Sequence, residues 1–94
     1  MRTEKFLNQE YQLIENYKDA FDKDAVEHLF TEYFLDYDYV VGDWSYGKLR
    51  LKGFCKKENS RYNERNDIQK KEEYFQKYCA YNCGYFILER KHNG

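Results

Sequence analysis

From Gly42 to Phe54 the chain reads Gly-Asp-Trp-Ser-Tyr-Gly-Lys-Leu-Arg-Leu-Lys-Gly-Phe, and this run concentrates the residue types suited to recognition. The only tryptophan, Trp44, stands beside Asp43 and Tyr46 between two glycines. A ring, a carboxylate and a hydroxyl in a glycine-bracketed turn can contact a ligand. Equally, Trp44 can fold back as a core plug while Asp43 hydrogen-bonds turn amides. Beyond the turn, strand alternation puts Lys48, Arg50 and Lys52 on one face with Phe54, and Leu49 and Leu51 on the other. Cations for phosphates and a ring for a base are what single-stranded RNA requires of a binding surface. Lys52-Gly53-Phe54 also matches the opening of the RNA-recognition strand motif, from which Cys55-Lys56-Lys57 departs. The competing reading is the solvated outer face of a one-sided sheet. The binding reading expects Arg50→Glu to weaken binding without unfolding the domain.

Cys79 and Cys83 are four residues apart and share one face if a helix continues that far, which makes them a candidate thiol site. A closed zinc site would need Cys55 and His28 or His92 from distant elements, so no metal site is assigned. Buried cysteines acting as small hydrophobes are the alternative. For catalysis, His28 and His92 are the only imidazoles, and neither accompanies a nucleophile. The chain has no glycine-rich phosphate loop, paired-carboxylate motif or metal-binding histidine spacing. No catalytic residue and no cofactor are assigned, and a non-enzyme is expected.

The elements that must position these residues follow from periodicity. Glu10 to Tyr17 fits both a helical and an alternating pattern. From Asp22 or Asp24 a capped helix is predicted near residues 23–35, with Val26, Leu29, Phe30 and Tyr33 as its apolar face. Tyr37 to Val41 and Leu49 to Cys55 alternate as two strands of a hairpin turning at Gly42 to Gly47. Residues 56–66 read as an exposed connection. A second helix begins at Asn66 or Asp67, with Ile68, Phe75, Tyr78 and Cys79 on one face, and ends near Asn82 or Gly84. Tyr85 to Glu89 is a short apolar strand, central in a sheet. If the first segment is a strand, the order is β-α-β-β-α-β. The expected class is then α+β, a small antiparallel sheet with two helices, patterned as a split-βαβ, ferredoxin-like sheet with both helices on one face. Other α+β arrangements of these elements stay open.

With 94 residues, no proline and no repeat, residues 1–94 are expected to form one domain. Mean hydropathy is −1.09, yet aromatics make up 20% of the chain and supply the area for a core. The formal charge of −1 conceals a polarised layout. Residues 1–47 carry four Lys/Arg against eleven Asp/Glu, whereas residues 48–71 carry nine against three. That basic stretch can serve a polyanion or be neutralised by the acidic half. No apolar run approaches the roughly twenty residues of a membrane span, no signal peptide is evident, and the odd cysteine count favours free thiols in the cytoplasm.

The run Asp36 to Phe54 resembles the signature of the YutD-like family of bacterial proteins. Tyr78-Cys79-Ala80-Tyr81-Asn82-Cys83-Gly84-Tyr85-Phe86 is similar to that family's carboxy-terminal cysteine-glycine-aromatic segment. Further similarity surrounds Tyr11 to Phe21, so the resemblance covers residues 10–90 and favours a strand at Glu10 to Tyr17. It implies a small cytoplasmic domain without an assigned activity. Cys55 follows the matched run where an aromatic is expected, which separates it from any shared thiol site. The leading expectation is a protein-interaction or regulatory module with an unknown protein partner, using Asp43, Trp44, Tyr46, Lys48, Arg50, Lys52 and Phe54. RNA binding through the basic-aromatic hairpin is the alternative, and a thiol or metal function at Cys79 and Cys83 the third.

Overall fold

In the computed structural model, which describes residues 2–78 and 83–92, the alternating segments become five strands. They are β1 (Arg2–Phe6), β2 (Gln9–Tyr17), β3 (Tyr39–Ser45), β4 (Lys48–Phe54) and β5 (Tyr85–Arg90). Two α-helices, α1 (Lys23–Leu29) and α2 (Lys71–Tyr78), complete the domain, with 3-10 turns at Glu32–Asp36, Glu64–Asn66 and Ile68–Lys70. The sheet order is β1-β2-β5-β3-β4 and every neighbouring pair is antiparallel. The α+β class and the strand at Glu10 to Tyr17 are as expected, and β5 lies in the interior of the sheet, between β2 and β3.

The arrangement differs from a split-βαβ sheet in two ways. β1 is an additional edge strand, invisible to periodicity because Arg2-Thr3-Glu4-Lys5 is polar throughout and only Phe6 enters the core. It is held by register with β2 and by a turn in which Leu7 and Asn8 adopt φ of 50° and 67°. In addition, the two helices cover opposite faces. Val40, Phe86 and Leu88 join Val26, Phe30 and Tyr11 in the larger cluster, beneath α1. Their neighbours Val41 and Ile87 point the other way, with Phe54, and meet Tyr74 and Phe75 of α2.

Asp22 caps α1 as expected, its side chain accepting from the Ala25 amide at 3.2 Å. The helix is shorter than its apolar spacing suggests. Phe30 turns extended (φ −76°, ψ 123°) and stacks on Phe6 with ring centroids 5.1 Å apart, which ends the helix. Leu29 and Tyr33 are consequently exposed instead of sharing the buried face. The connection from β4 to α2 is exposed for much of its length but folds back onto the sheet. Cys55 donates to the Asn66 carbonyl at 2.7 Å and accepts from the Ile68 amide at 3.1 Å. A reciprocal cap between Asn63 and Asn66 shapes the turn, and the Tyr62 hydroxyl donates to buried Asp67 at 2.9 Å. α2 therefore starts at Lys71, after two 3-10 turns, rather than at Asn66.

Gly42 to Ser45 belong to β3, and the hairpin turns on Tyr46 and Gly47 alone, with φ of 53° and 77°. Two successive positive φ values between paired Ser45 and Lys48 describe a type I′ turn, whose twist matches that of the flanking strands. Gly42 has a different role. Phe86 lies so close that a Cβ at this position would stand 2.1 Å from its Cζ, and Tyr37 occupies the same space over Gly53 at 2.4 Å. Gly42→Ala is expected to cost about 2–3 kcal/mol by overpacking, whereas Gly47→Ala meets no atom and costs about 1 kcal/mol of backbone strain. Urea denaturation checks the ranking; a Gly42→Ala variant as stable as Gly47→Ala would contradict the Phe86 contact.

Candidate functional site

Asp43 occupies a strand position facing α2 and is only 1% exposed. A buried carboxylate needs a counter-charge, and β4 supplies it directly opposite, because Asp43 and Arg50 are cross-strand partners. Arg50 Nε donates to Asp43 Oδ1 at 2.9 Å, and Nη2 lies 2.8 Å from the same oxygen. The Tyr74 hydroxyl reaches Asp43 Oδ2 at 3.4 Å, and Arg50 Nη2 also donates to the Tyr78 carbonyl at 2.7 Å. The hydrogen bond to Asp43 raises the Arg50 pKa above its ordinary value. Burial, reinforced by the Asp43 charge, pushes the Tyr74 hydroxyl up to about 12. The group ties β3, β4 and α2 together, and Arg50 acquires a structural duty that its sequence context did not suggest.

The residues expected to form one surface are distributed over several environments. Trp44 faces the α1 side, packs against the larger core cluster and donates from Nε1 to the Ala20 carbonyl at 2.8 Å. Tyr46 projects from the turn, 95% exposed, and Lys48 beside it is exposed. Lys52 sits over the rings of Phe54 and Tyr74 at 5.4 and 5.5 Å. Phe54 is 1% exposed and meets Tyr74 edge-on at 5.3 Å, so it offers no ring to a base. The shared strand face of Lys48, Arg50, Lys52 and Phe54 is real, but α2 roofs its distal half. Cys55 is a buried free cysteine whose thiol burial pushes up in pKa, an inert environment. Cys79 lies outside the described residues, and Cys83 is disulfide-bonded instead of the free thiol expected. Among the described residues no group of three His, Cys, Asp or Glu could hold a metal, and no helix is long and apolar enough to cross a membrane.

Where α2 meets the β4 edge it leaves a cleft of 390 Å³. Arg50 and Lys52 line it from β4, Arg65 and Lys70 from the connection, and Lys77 and Tyr78 from α2. Glu64 and Glu73 are the acids in its wall, so cations exceed acids there by three. Arg65, Lys70, Lys77 and Tyr74 escaped the sequence reading. The signal was present in the basic stretch and in the helical spacing of Lys70, Tyr74 and Tyr78, but Arg65 falls in the exposed connection of residues 56–66, and Lys70 and Lys77 fall off the apolar face of the second helix, where solvated lysines are ordinary. A second hollow of 560 Å³, lined in part by Asp36, Asp38, Arg61 and Arg90, is neutralised from within, since Asp36 pairs with Arg61 at 3.0 Å and Asp38 with Arg90 at 3.8 Å.

Known proteins resemble this arrangement in sequence and structure. The family profile described as "Putative antitoxin YutD-like" matches residues 5–89. A Bacillus subtilis (strain 168) protein named "Putative antitoxin YutD" is 41% identical over 83 residues, covering 88% of this chain and 91% of that one. The solution NMR structure of YutD from B. subtilis superposes with a TM-score of 0.79 at 36% identity, covering all of this chain and 89% of its own.

Removing the counter-charge tests the Asp43 group. Breaking a fully buried pair costs about 3–5 kcal/mol, and since the Arg50 side chain is 42% exposed we expect Arg50→Ala to cost about 2 kcal/mol in urea denaturation. Adding Asp43→Asn should recover part of that loss; a double variant less stable than Arg50→Ala would contradict the pairing. Alkaline pH tests the buried rings. Burial also pushes Tyr11 and Tyr39 up to about 12, whereas unfolded tyrosines titrate near 10. Between those values the folded chain holds more protons than the unfolded one, so stability is fully present below about pH 10 and falls as pH rises toward 12. Phenolate absorbance should show a late-titrating subset; a single normal titration would contradict the burial.

Proposed function

The chain belongs to the YutD-like family, and from that premise we propose that it is a non-enzymatic regulatory module that acts by binding a protein partner, in the manner the family's antitoxin description implies. Neutralisation by contact needs a rigid recognition surface rather than reacting groups. The observation that supports this reading is the pairing of exposed tyrosines with a cationic cleft at one end of the sheet. Tyr46 is 95% exposed on a two-residue turn, and Tyr78 is 51% exposed at the rim of the cleft. Arg50, bonded to the Tyr78 carbonyl, lies three residues after Gly47, which puts the turn and the helix end at the same side of the molecule. Tyrosine and arginine are favoured anchors of protein interfaces because a large ring or planar cation fixes much area with few rotatable bonds.

Single-stranded RNA is the second reading, supported by the same cations. It loses Phe54 as a stacking platform, and Tyr74 commits its hydroxyl to Asp43, which leaves Tyr78 as the exposed ring in the cleft. A polynucleotide track ordinarily offers several rings in succession.

Site-specific photo-crosslinking in cells tests the proposal. With benzoylphenylalanine in place of Tyr46 or of Tyr78, we expect the same discrete protein adduct. The same probe at Leu29, exposed on α1 across the sheet, should give none. Adducts from Leu29 alone, or crosslinks to RNA in place of protein, would overturn it.

A further inference from the structure

Apart from Arg50, which Asp43 holds, the cleft cations are not consumed by the protein's own acids. Lys52, Arg65, Lys70 and Lys77 have no ion-pair partner among the described residues. Six of the eleven acids in residues 1–47 are meanwhile ion-paired elsewhere: Glu4 with Lys23 at 3.1 Å, Glu10 with Lys91 at 3.6 Å, Glu15 with Lys71 at 2.7 Å. Asp36, Asp38 and Asp43 are likewise paired. Ion pairs thus account for Arg50, Lys56, Arg61 and Lys71 of the basic stretch; of the other five, Lys48 and Lys57 are exposed outside the cleft and Lys52, Arg65 and Lys70 face one hollow.

From this we propose that the cleft between β4 and α2 receives an acidic segment of the protein partner, with side-chain carboxylates seated among Lys52, Arg65, Lys70 and Lys77. The inference rests on the protein-binding reading and names the chemistry of the partner. Four features favour a carboxylate-bearing peptide. The cations are mostly lysines, compact point charges suited to separate carboxylates on a flexible chain. Glu64 and Glu73 interrupt the cationic wall, which penalises a continuous phosphodiester but tolerates spaced charges with uncharged residues between them. Arg50, the residue best shaped for bidentate phosphate recognition, is already engaged by Asp43. The volume of 390 Å³ holds a few side chains, and the ring of Tyr78 gives the apolar part of such a segment a surface to cover.

The test uses the full chain and two labelled probes, a peptide of alternating Glu and Tyr and an oligouridylate of matched length, followed by fluorescence anisotropy at about 0.15 M ionic strength. Arg65→Glu with Lys70→Glu changes two exposed side chains outside the Asp43 group, and Lys5→Glu with Lys18→Glu makes the same charge change at exposed positions that do not line the cleft. The peptide is expected to bind about tenfold more weakly to the cleft variant and less than about twofold more weakly to the distant one. Equal losses in both variants would reduce the effect to bulk charge and overturn the inference. Tighter, cleft-dependent binding of the oligouridylate would assign the cleft to nucleic acid, and a dimer abolished by the cleft variant would assign it to a second copy; either overturns it. If Tyr46 and Tyr78 crosslink a protein while the peptide fails to bind, the acidic occupant falls and the binding module stands. If those crosslinks fail too, both fall.

Discussion

Phe86, Ile87 and Leu88, three consecutive residues of β5, are removed from water altogether. Successive strand side chains face opposite ways, so a strand buried along such a run demands cover on both faces of its sheet. The rest of the structure answers that demand. Phe86 and Leu88 lie under α1 with Phe21 and Phe30, and Phe86 comes so close to β3 that only glycine fits at position 42. Ile87, on the reverse face with Val41 and Phe54, draws in the aromatic side of α2. Burying that second face brings the helix across the basic half of β4.

The consequences are electrostatic. Closing α2 over β4 removes Asp43 from water, and a carboxylate there is tolerable because Arg50 stands opposite it and Tyr74 above it. The same closure converts a flat row of cations into a walled cleft. Within one cluster of basic residues, position relative to the helix divides the labour: Arg50 turns inward to a structural carboxylate, while Lys70 and Lys77 remain around the opening. A flat cationic sheet face would suit a strand of nucleic acid, and a short cleft bounded by tyrosines suits a segment of polypeptide.

Much of this was legible in the sequence. Strict alternation gave the β3–β4 hairpin, the run Tyr85 to Glu89 announced an interior strand, and Asp22 marked the helix start. What escaped depended on contacts between segments distant in sequence. β1 has no apolar period because an edge strand with a single buried residue needs none. The early end of α1 follows from the stacking of Phe30 on Phe6, a contact no local window contains. The helices fall on two faces because Ile87 and Val41 needed cover, which the alternation of β5 could have indicated had its apolar run been read as two faces rather than one. Arg50 looked like a surface cation because its partner, seven residues earlier, was assigned to a turn instead of the facing strand.

The most direct measurement of the central claim, that α2 lies over the basic face of β4, is a nuclear Overhauser experiment on the aromatic rings in solution. The Tyr74 and Phe54 ring centroids are 5.3 Å apart and those of Phe75 and Tyr85 4.1 Å. The account predicts strong cross-peaks for both pairs, with Lys52 side-chain protons shifted by the rings of Phe54 and Tyr74 beneath its ammonium. Absence of both, with a Phe54 ring open to solvent, would contradict it and return β4 to the flat cationic face that nucleic acid prefers.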